Sequence, residues 1–363
     1  MGEPFKNLYN PQYVADLAAE VKKECPAFDG ETFATRVLDE DWEARELKQR
    51  MRHIAVVLHD FLPADYGVAL DVLRKVAPVL DGFHSLAFSD YVAVYGLDDW
   101  ETSLPALEQF TQHSSAEFAV RPFIVRDQDC MMAQMLAWAQ HEDARVRRLA
   151  SEGCRPRLPW GIGLPALKVD PSPILPILEL LKDDESEAVR RSVANNLNDI
   201  SKDNPGVVLD VLHRWQTCDT EAVRWITRHA LRTLLKAGHP AALELLGYSA
   251  DPAIVVRNLS AEPETVPMGG SVTLSFDVES ASDEAQDLMI DFVVHLMRAN
   301  GKQTPKVFKL SKKTLQPAQV LHVSKKVSFA PVTTRKYYPG AHAVAPKING
   351  KLFGRAEFVL VPE

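Results

Sequence analysis

The side chains with the most chemical reach lie between residues 143 and 160, in DARVRRLASEGCRPRLPW. Arg145, Arg147, Arg148, Arg155 and Arg157 surround one carboxylate, Glu152, and Trp160 follows in a loop bracketed by Pro159 and Gly161. Arginines at that density beside a helix end suit phosphate oxygens, because each guanidinium offers paired donors. Taken alone, such a run also fits a solvated helix face. Two further carboxylates stand among basic repeats: Glu117, three residues after Ser114, and Asp199, behind Asn195, Asn196 and Asn198. Asparagine is a weak helix former, so that cluster is not there for helicity.

Each acid has a structural role open to it as well. Glu117 suits a helix start as a cap or a dipole partner. Glu152 ends a helix, where its charge opposes the dipole, and Arg148 and Arg155 are the cations able to compensate it. Asp199 suits a helix-end cap for the turn that follows. Trp160 is either core filler or a stacking face for a sugar or base. Phosphate-cradling glycine loops, HExxH and nucleophile elbows are absent from the sequence. The four cysteines (Cys25, Cys130, Cys154, Cys218) are scattered, which speaks against a structural zinc; neither metal nor cofactor is expected.

These residues need helices to hold them. Residues 11–80 read as amphipathic helices, with Leu47, Met51, Ile54, Leu58 and Leu62 at helical spacing. The segment from Arg145 to Ser151 reads as a short helix stopped by Gly153 acting as a C-terminal cap. A repeat begins near residue 114: AEFAVRPFI (116–124), DARVRRLA (143–150), SEAVRRSVANNL (186–197) and TEAVRWITRHAL (220–231) share Val-Arg before an apolar helix. The valines fall at 120, 146, 189 and 223, and the last two gaps, 43 and 34 residues, suit a two-helix unit. Partner helices fit Cys130–Gln140, Ile174–Leu181 and Val207–Trp215. Such pairs stack into a curved α-solenoid, since one pair cannot bury its apolar face alone. The expected concave surface carries Arg121, Arg148, Arg190 or Arg191, and Arg224 or Arg228.

Past Asp251-Pro252 the period becomes two, as in Val272, Leu274, Phe276 and Val278, with turn signals at Gly269-Gly270, Asn300-Gly301 and Asn349-Gly350. Seven or so short strands predict an immunoglobulin-like sandwich without a core disulfide. The chain of 363 residues therefore divides into an α-solenoid over 1–250 and an all-β domain over 255–363. Charge divides the same way: the net charge is −8, but residues 1–250 sum to −11 and 251–363 to +3, and 13 basic residues with no acidic one lie between Phe292 and Ala356. A field that one-sided points to a polyanion partner, with a solubilising lysine surface as the plainer option. The sequence contains no apolar run of about 18 residues that spans a membrane. The opening MGEPFKNLYN lacks an apolar signal core, so a cytoplasmic protein with reduced thiols is expected. Nothing points to an oligomer, and a monomer is expected.

The Val-Arg-Arg helices, RRLASEGCRPRLPW and RRSVANNLNDISKDNP closely resemble the AlkC family of DNA alkylation-repair glycosylases, relatives of the AlkD family built from HEAT-like repeats. The resemblance covers roughly residues 5–247, and the family likewise carries an appended immunoglobulin-like domain. It implies excision of cationic alkylated bases, 3-methyladenine and 3-methylcytosine, from double-stranded DNA without flipping the base, leaving an abasic site. Carried over by position, Glu117, Glu152 and Asp199 match the acidic active-site residues and Trp160 the aromatic one. Expected DNA contacts are Arg121, Arg148, Arg155, Arg157, Arg190 and Lys202 from the solenoid. Lys306, Lys309, Lys312, Lys313, Lys325 and Lys326 are expected to add a clamp from the sandwich. The competing expectations are a non-catalytic solenoid that binds damaged or branched DNA and a protein–protein scaffold.

Overall fold

The computed structural model describes residues 4–218, 220–333 and 335–362. It forms two compact units, Met1–Val208 with Trp215–Ala230, and Leu209–Arg214 with Leu231–Glu363. Helices fill the first part of the chain: α1 (Pro11–Glu24), α2 (Gly30–Val37), α3 (Leu47–Phe61), α4 (Tyr66–Val76), α5 (Leu86–Tyr95), α6 (Trp100–Thr111), α7 (Val120–Arg126) and α8 (Gln128–Trp138). There follow α9 (Ala144–Gly153), α10 (Pro165–Val169), α11 (Leu175–Leu181), α12 (Glu187–Ile200), α13 (Pro205–Trp215), α14 (Glu221–Ala230), α15 (Arg232–Ala237) and α16 (Pro240–Glu244). No helix among the described residues is long and apolar enough to cross a membrane.

The helices start where the sequence supplies caps. Asn10 accepts from the Tyr13 amide at 2.9 Å ahead of Pro11, and Val14, Leu17, Ala18 and Val21 of α1 are buried. Asp143 accepts from the Arg145 amide at 2.7 Å and opens α9. The four Val-Arg segments become α7, α9, α12 and α14, and α12 packs between α9 and α14. Val120, Val146, Val189 and Val223 are all buried, so the repeated valine is the core anchor of each unit.

The repeated arginine has a different use from the one expected. Arg147 Nη1 donates to the carbonyls of His141 and Glu142 at 3.0 and 2.6 Å. Arg190 Nη1 repeats this on Asp184 and Glu185 at 2.6 and 2.7 Å. In both cases the guanidinium closes the turn that leads into its own helix. Arg190 is thus engaged within its repeat instead of standing ready for a phosphate.

The second unit holds β1 (Ile254–Glu262), β2 (Thr265–Pro267), β3 (Ser271–Ser280), β4 (Gln286–Met297), β5 (Gln303–Leu315), β6 (Val320–Ser328), β7 (Gly340–Ile348), β8 (Lys351–Leu352) and β9 (Ala356–Val361). One sheet has the order β1-β3-β6; the other runs β2-β9-β7-β4-β5, with β8 on β7. Between them lies a core that includes Val272, Leu274, Phe276, Val278, Phe292, Val294, Leu296 and Phe358. β3 alternates between half-buried and buried positions from Ser271 to Glu279, whereas Leu288–Val294 of β4 is buried on both faces. Part of the cover comes from the unit's own helical segment. Lys347 Nζ donates to the Lys236 carbonyl at 2.6 Å, and Asn349 Nδ2 to the Ser249 carbonyl at 2.9 Å. At Gly238, whose φ is +83°, a Cβ would stand 2.8 Å from the Gly350 Cα, so the end of α15 meets the β7–β8 turn backbone to backbone.

Candidate active site

Glu152 and Asp199 are brought together by the side-by-side packing of α9 and α12. Glu152 sits one residue before the end of α9 and Asp199 one before the end of α12, and they are 6% and 2% exposed. Arg155, equally buried, lies between them. Its Nη1 donates to Glu152 Oε1 at 2.6 Å and its Nε to Asp199 Oδ2 at 2.9 Å. The remaining oxygens are also engaged. Ser192 Oγ donates to Glu152 Oε2 at 2.6 Å, and Lys202 Nζ to Asp199 Oδ1 at 2.8 Å. Asn196 Nδ2 ties the two helices by donating to the Ser151 carbonyl at 2.8 Å.

Glu117 completes the acidic set from the turn that leads into α7. Arg148 Nη2 donates to Glu117 Oε2 at 2.8 Å and stands 3.9 Å from Glu152 Oε1. Ser115 Oγ reaches the same Glu117 oxygen at 3.1 Å, and among the described residues no donor engages Oε1. Three carboxylates and three cations, Arg148, Arg155 and Lys202, therefore form one network in which buried charge is matched.

Arg121 stands beneath this network. Expected on the DNA-facing surface, it is 0% exposed. Its Nη1 donates to the carbonyls of Gly153 and Arg155 at 2.8 and 2.9 Å, and its Nε to that of Ile162 at 2.6 Å. Burial pushes its pKa down to about 10. One guanidinium thus ties the end of α9, the Arg155 turn and the Trp160 loop, three segments whose carbonyls would otherwise lack donors. Arg155 is likewise internal and unsuited to direct phosphate contact. Arg157 is accessible but paired with Asp203 at 2.6 and 2.9 Å.

Gly153 is inside α9 and the cap residue is Cys154, so the glycine is not the expected cap. A Cβ there would stand 2.6 Å from Val120 Cγ2 and 3.0 Å from Met135 Cε, so close approach to α7 and α8 requires glycine. Trp160 is no core filler: it is 58% exposed, with φ at 63°. Its ring meets Phe5 edge-on at 6.3 Å, and Lys48 Nζ donates to its carbonyl at 2.8 Å.

In the second unit, β5 and β6 are the edge strands of their sheets and carry the six lysines. Lys309, Lys312, Lys313, Lys325 and Lys326 are exposed, while Lys306 is half-buried with its ammonium 5.6 Å from the Phe308 ring centroid. Charged edges also prevent strand addition by another chain.

Residues 255–362 match the family described as "Uncharacterised protein YhaZ, C-terminal Ig-like domain". Over 353 residues the chain is 44% identical to the uncharacterized protein YhaZ of Bacillus subtilis (strain 168), covering 97% of this chain and 98% of that protein. The alkylpurine DNA glycosylase AlkC of Pseudomonas fluorescens, solved bound to DNA containing an abasic site analog, is similar with a TM-score of 0.94 and 39% identity, over 99% of this chain and 100% of that one. The chain belongs to the AlkC family. An AlkC-like arrangement of helical repeats followed by an immunoglobulin-like sandwich accounts for both units. Within this AlkC-family chain, sequence reasoning missed Ser192, Lys48 and Phe5 at the site. The asparagine cluster did signal Asn196, but Ser192 and Lys48 make their contacts over 40 and 112 residues and leave no local trace.

Proposed function

We propose that this chain is a DNA glycosylase that removes cationic N-alkylated bases, 3-methyladenine and 3-methylcytosine, from duplex DNA and leaves an abasic site. The observation that carries the reading is the pairing of a buried Glu152–Arg155–Asp199 network with an exposed Trp160 on the loop that follows it. A methylated base that bears a positive charge is already a good leaving group, departing as a neutral base. The deoxyribose becomes oxocarbenium-like as the glycosidic bond breaks, and preorganised carboxylates favour that charge. Glu152 and Asp199 are locked in place and supply the field. Glu117, with one oxygen unengaged, is the carboxylate able to align the attacking water. Trp160 offers a π-face to the cationic lesion and excludes bulk water.

Arg148 and Arg157 on the helical side, with Lys202, provide the accessible cations for the DNA backbone. The exposed lysines of β5 and β6 grip phosphates from the sandwich. Binding on this scheme is steeply salt-dependent and mostly independent of sequence. Excision that does not extrude the base into a pocket favours unstable lesions, so 7-methylguanine is released poorly. Support comes from the AlkC relative, which is an alkylpurine DNA glycosylase.

The test is base release from methylated duplex DNA by the wild type beside Glu152→Gln, with products separated by base. Free 3-methyladenine from the wild type, lowered by about a hundredfold or more in the variant, supports the reaction and the role of the carboxylate. The complete ion pairing of Glu152 and Asp199 favours a second reading, a DNA-binding solenoid without catalysis. DNA binding with no base release from either protein would favour that reading.

A further inference from the structure

We propose that Lys48 is the positioning residue of Trp160, an ammonium from α3 that fixes the indole in its exposed, left-handed presentation. Its kinetic consequence rests on the glycosylase reading; its geometry does not. The non-glycine residues at positive φ among the described residues are Trp160, Asn258, Ala318 and Asn349. Asparagine tolerates that region, whereas a bulky aromatic is poorly suited to it. Such a backbone persists only where the surroundings over-determine it, and a ring left mostly in solvent cannot supply that through its own burial.

The carbonyls around the ring show what supplies it. Arg121 holds the Ile162 carbonyl at 2.6 Å, and Lys48 holds that of Trp160 itself at 2.8 Å, reaching across 112 residues. The Lys48 ammonium has a fixed seat, because it also stands 5.0 Å from the centroid of the Phe118 ring. Phe118 is the neighbour of Glu117, so the latch touches the aromatic and acidic sides of the site together. Phe5 supports the indole edge, with Phe83 behind it at 5.7 Å. A role for Lys48 as a phosphate contact fits less well, since its ammonium is already directed at a carbonyl and a ring face.

The experiment uses the full-length protein labelled with 5-fluorotryptophan, with Trp160→Phe assigning the fluorine resonance. Lys48→Met is expected to move the Trp160 resonance and to leave the thermal midpoint within about two degrees, as for a surface substitution. Single-turnover base release is expected to fall about tenfold while DNA affinity changes by less than about twofold. Lys48→Arg restores both the resonance and the rate. In the Trp160→Phe background, Lys48→Met adds no further loss of rate, because the two residues act as one unit. An unmoved resonance, an undiminished rate loss without Trp160, or weakened affinity at full rate would each overturn the assignment. A wild type that releases no base would defeat the glycosylase reading alone, and the resonance would still decide the latch.

Discussion

Arg155 holds Asp199 along one edge of its guanidinium, with Nε and Nη2 both 2.9 Å from Asp199 Oδ2, although 44 residues separate them in the chain. The other edge holds Glu152, so a single side chain joins the ends of two repeat helices. Arg155→Met leaves two buried carboxylates facing one another without their shared cation. The expected loss is about 3–5 kcal/mol, the range for breaking a buried pair from one side. Urea unfolding of the variant measures it, and adding Asp199→Asn should recover part of the loss.

Ser192 contributes one hydroxyl to Glu152 Oε2, at 2.6 Å. Ser192→Ala should cost about 1 kcal/mol of stability. Its larger effect should be on base release, because a loosened carboxylate is misplaced against the reacting sugar. A fall of at least about tenfold in single-turnover rate, with DNA affinity kept, is expected. An unchanged rate would remove Ser192 from the site.

Gly153→Ala tests the close approach of α9 to α7 and α8. The new methyl lies 2.6 Å from Val120 Cγ2, and overpacking of this kind costs about 1–3 kcal/mol. Combining it with Val120→Ala should return part of the stability, since the clashing methyl is removed. Thermal unfolding of both variants and the pair decides this.

Asp291 gives a pH dependence. It is buried in β4, and burial raises its carboxyl pKa against the lowering influence of Lys309, Lys347 and Lys236. A folded-state value above the unfolded one means that its contribution is fully present below about pH 4 and is lost as pH rises through the folded value. Asp291→Asn removes that loss. Relative to the wild type, the variant should therefore gain stability from pH 4 towards neutrality, as read by urea unfolding at several pH values. A difference independent of pH would contradict the assignment.

The basic edges of the sandwich are tested by Lys309, Lys312, Lys313, Lys325 and Lys326 changed to Gln together in the full-length chain. Every phosphate deprived of its lysine should flatten the slope of log affinity against log salt by roughly 0.9. Titrations at several salt concentrations measure it. An unchanged slope would leave the lysines as edge protection alone.

The legible parts of the fold were those with local period. The Val-Arg repeats announced α7, α9, α12 and α14, and alternation announced β3, while Gly269, Gly301 and Gly350 marked turns with positive φ. The three acids and Trp160 were visible as residue types in an unusual setting. What each arginine does was not visible, because the answer depends on partners far along the chain. Arg147 and Arg190 close their own turns, Arg121 is buried under three carbonyls, and Arg148 alone of the adjacent pair reaches Glu117. The Val-Arg dipeptide therefore reports the repeat, while in α9 it is the next residue, Arg148, that reaches the acidic site.

The backbone contact between Gly238 and Gly350 has a bearing on how this sandwich can be moved between proteins. Neither glycine accepts a side chain while the other keeps its place, so the two positions must be inherited together. Lys347 and Asn349 add hydrogen bonds to the same helical segment. A module transplanted from residue 255 onward would leave Lys347 and Asn349 without the carbonyls of Lys236 and Ser249. One transplanted from residue 231 would carry both of those carbonyls, and Gly238 with them.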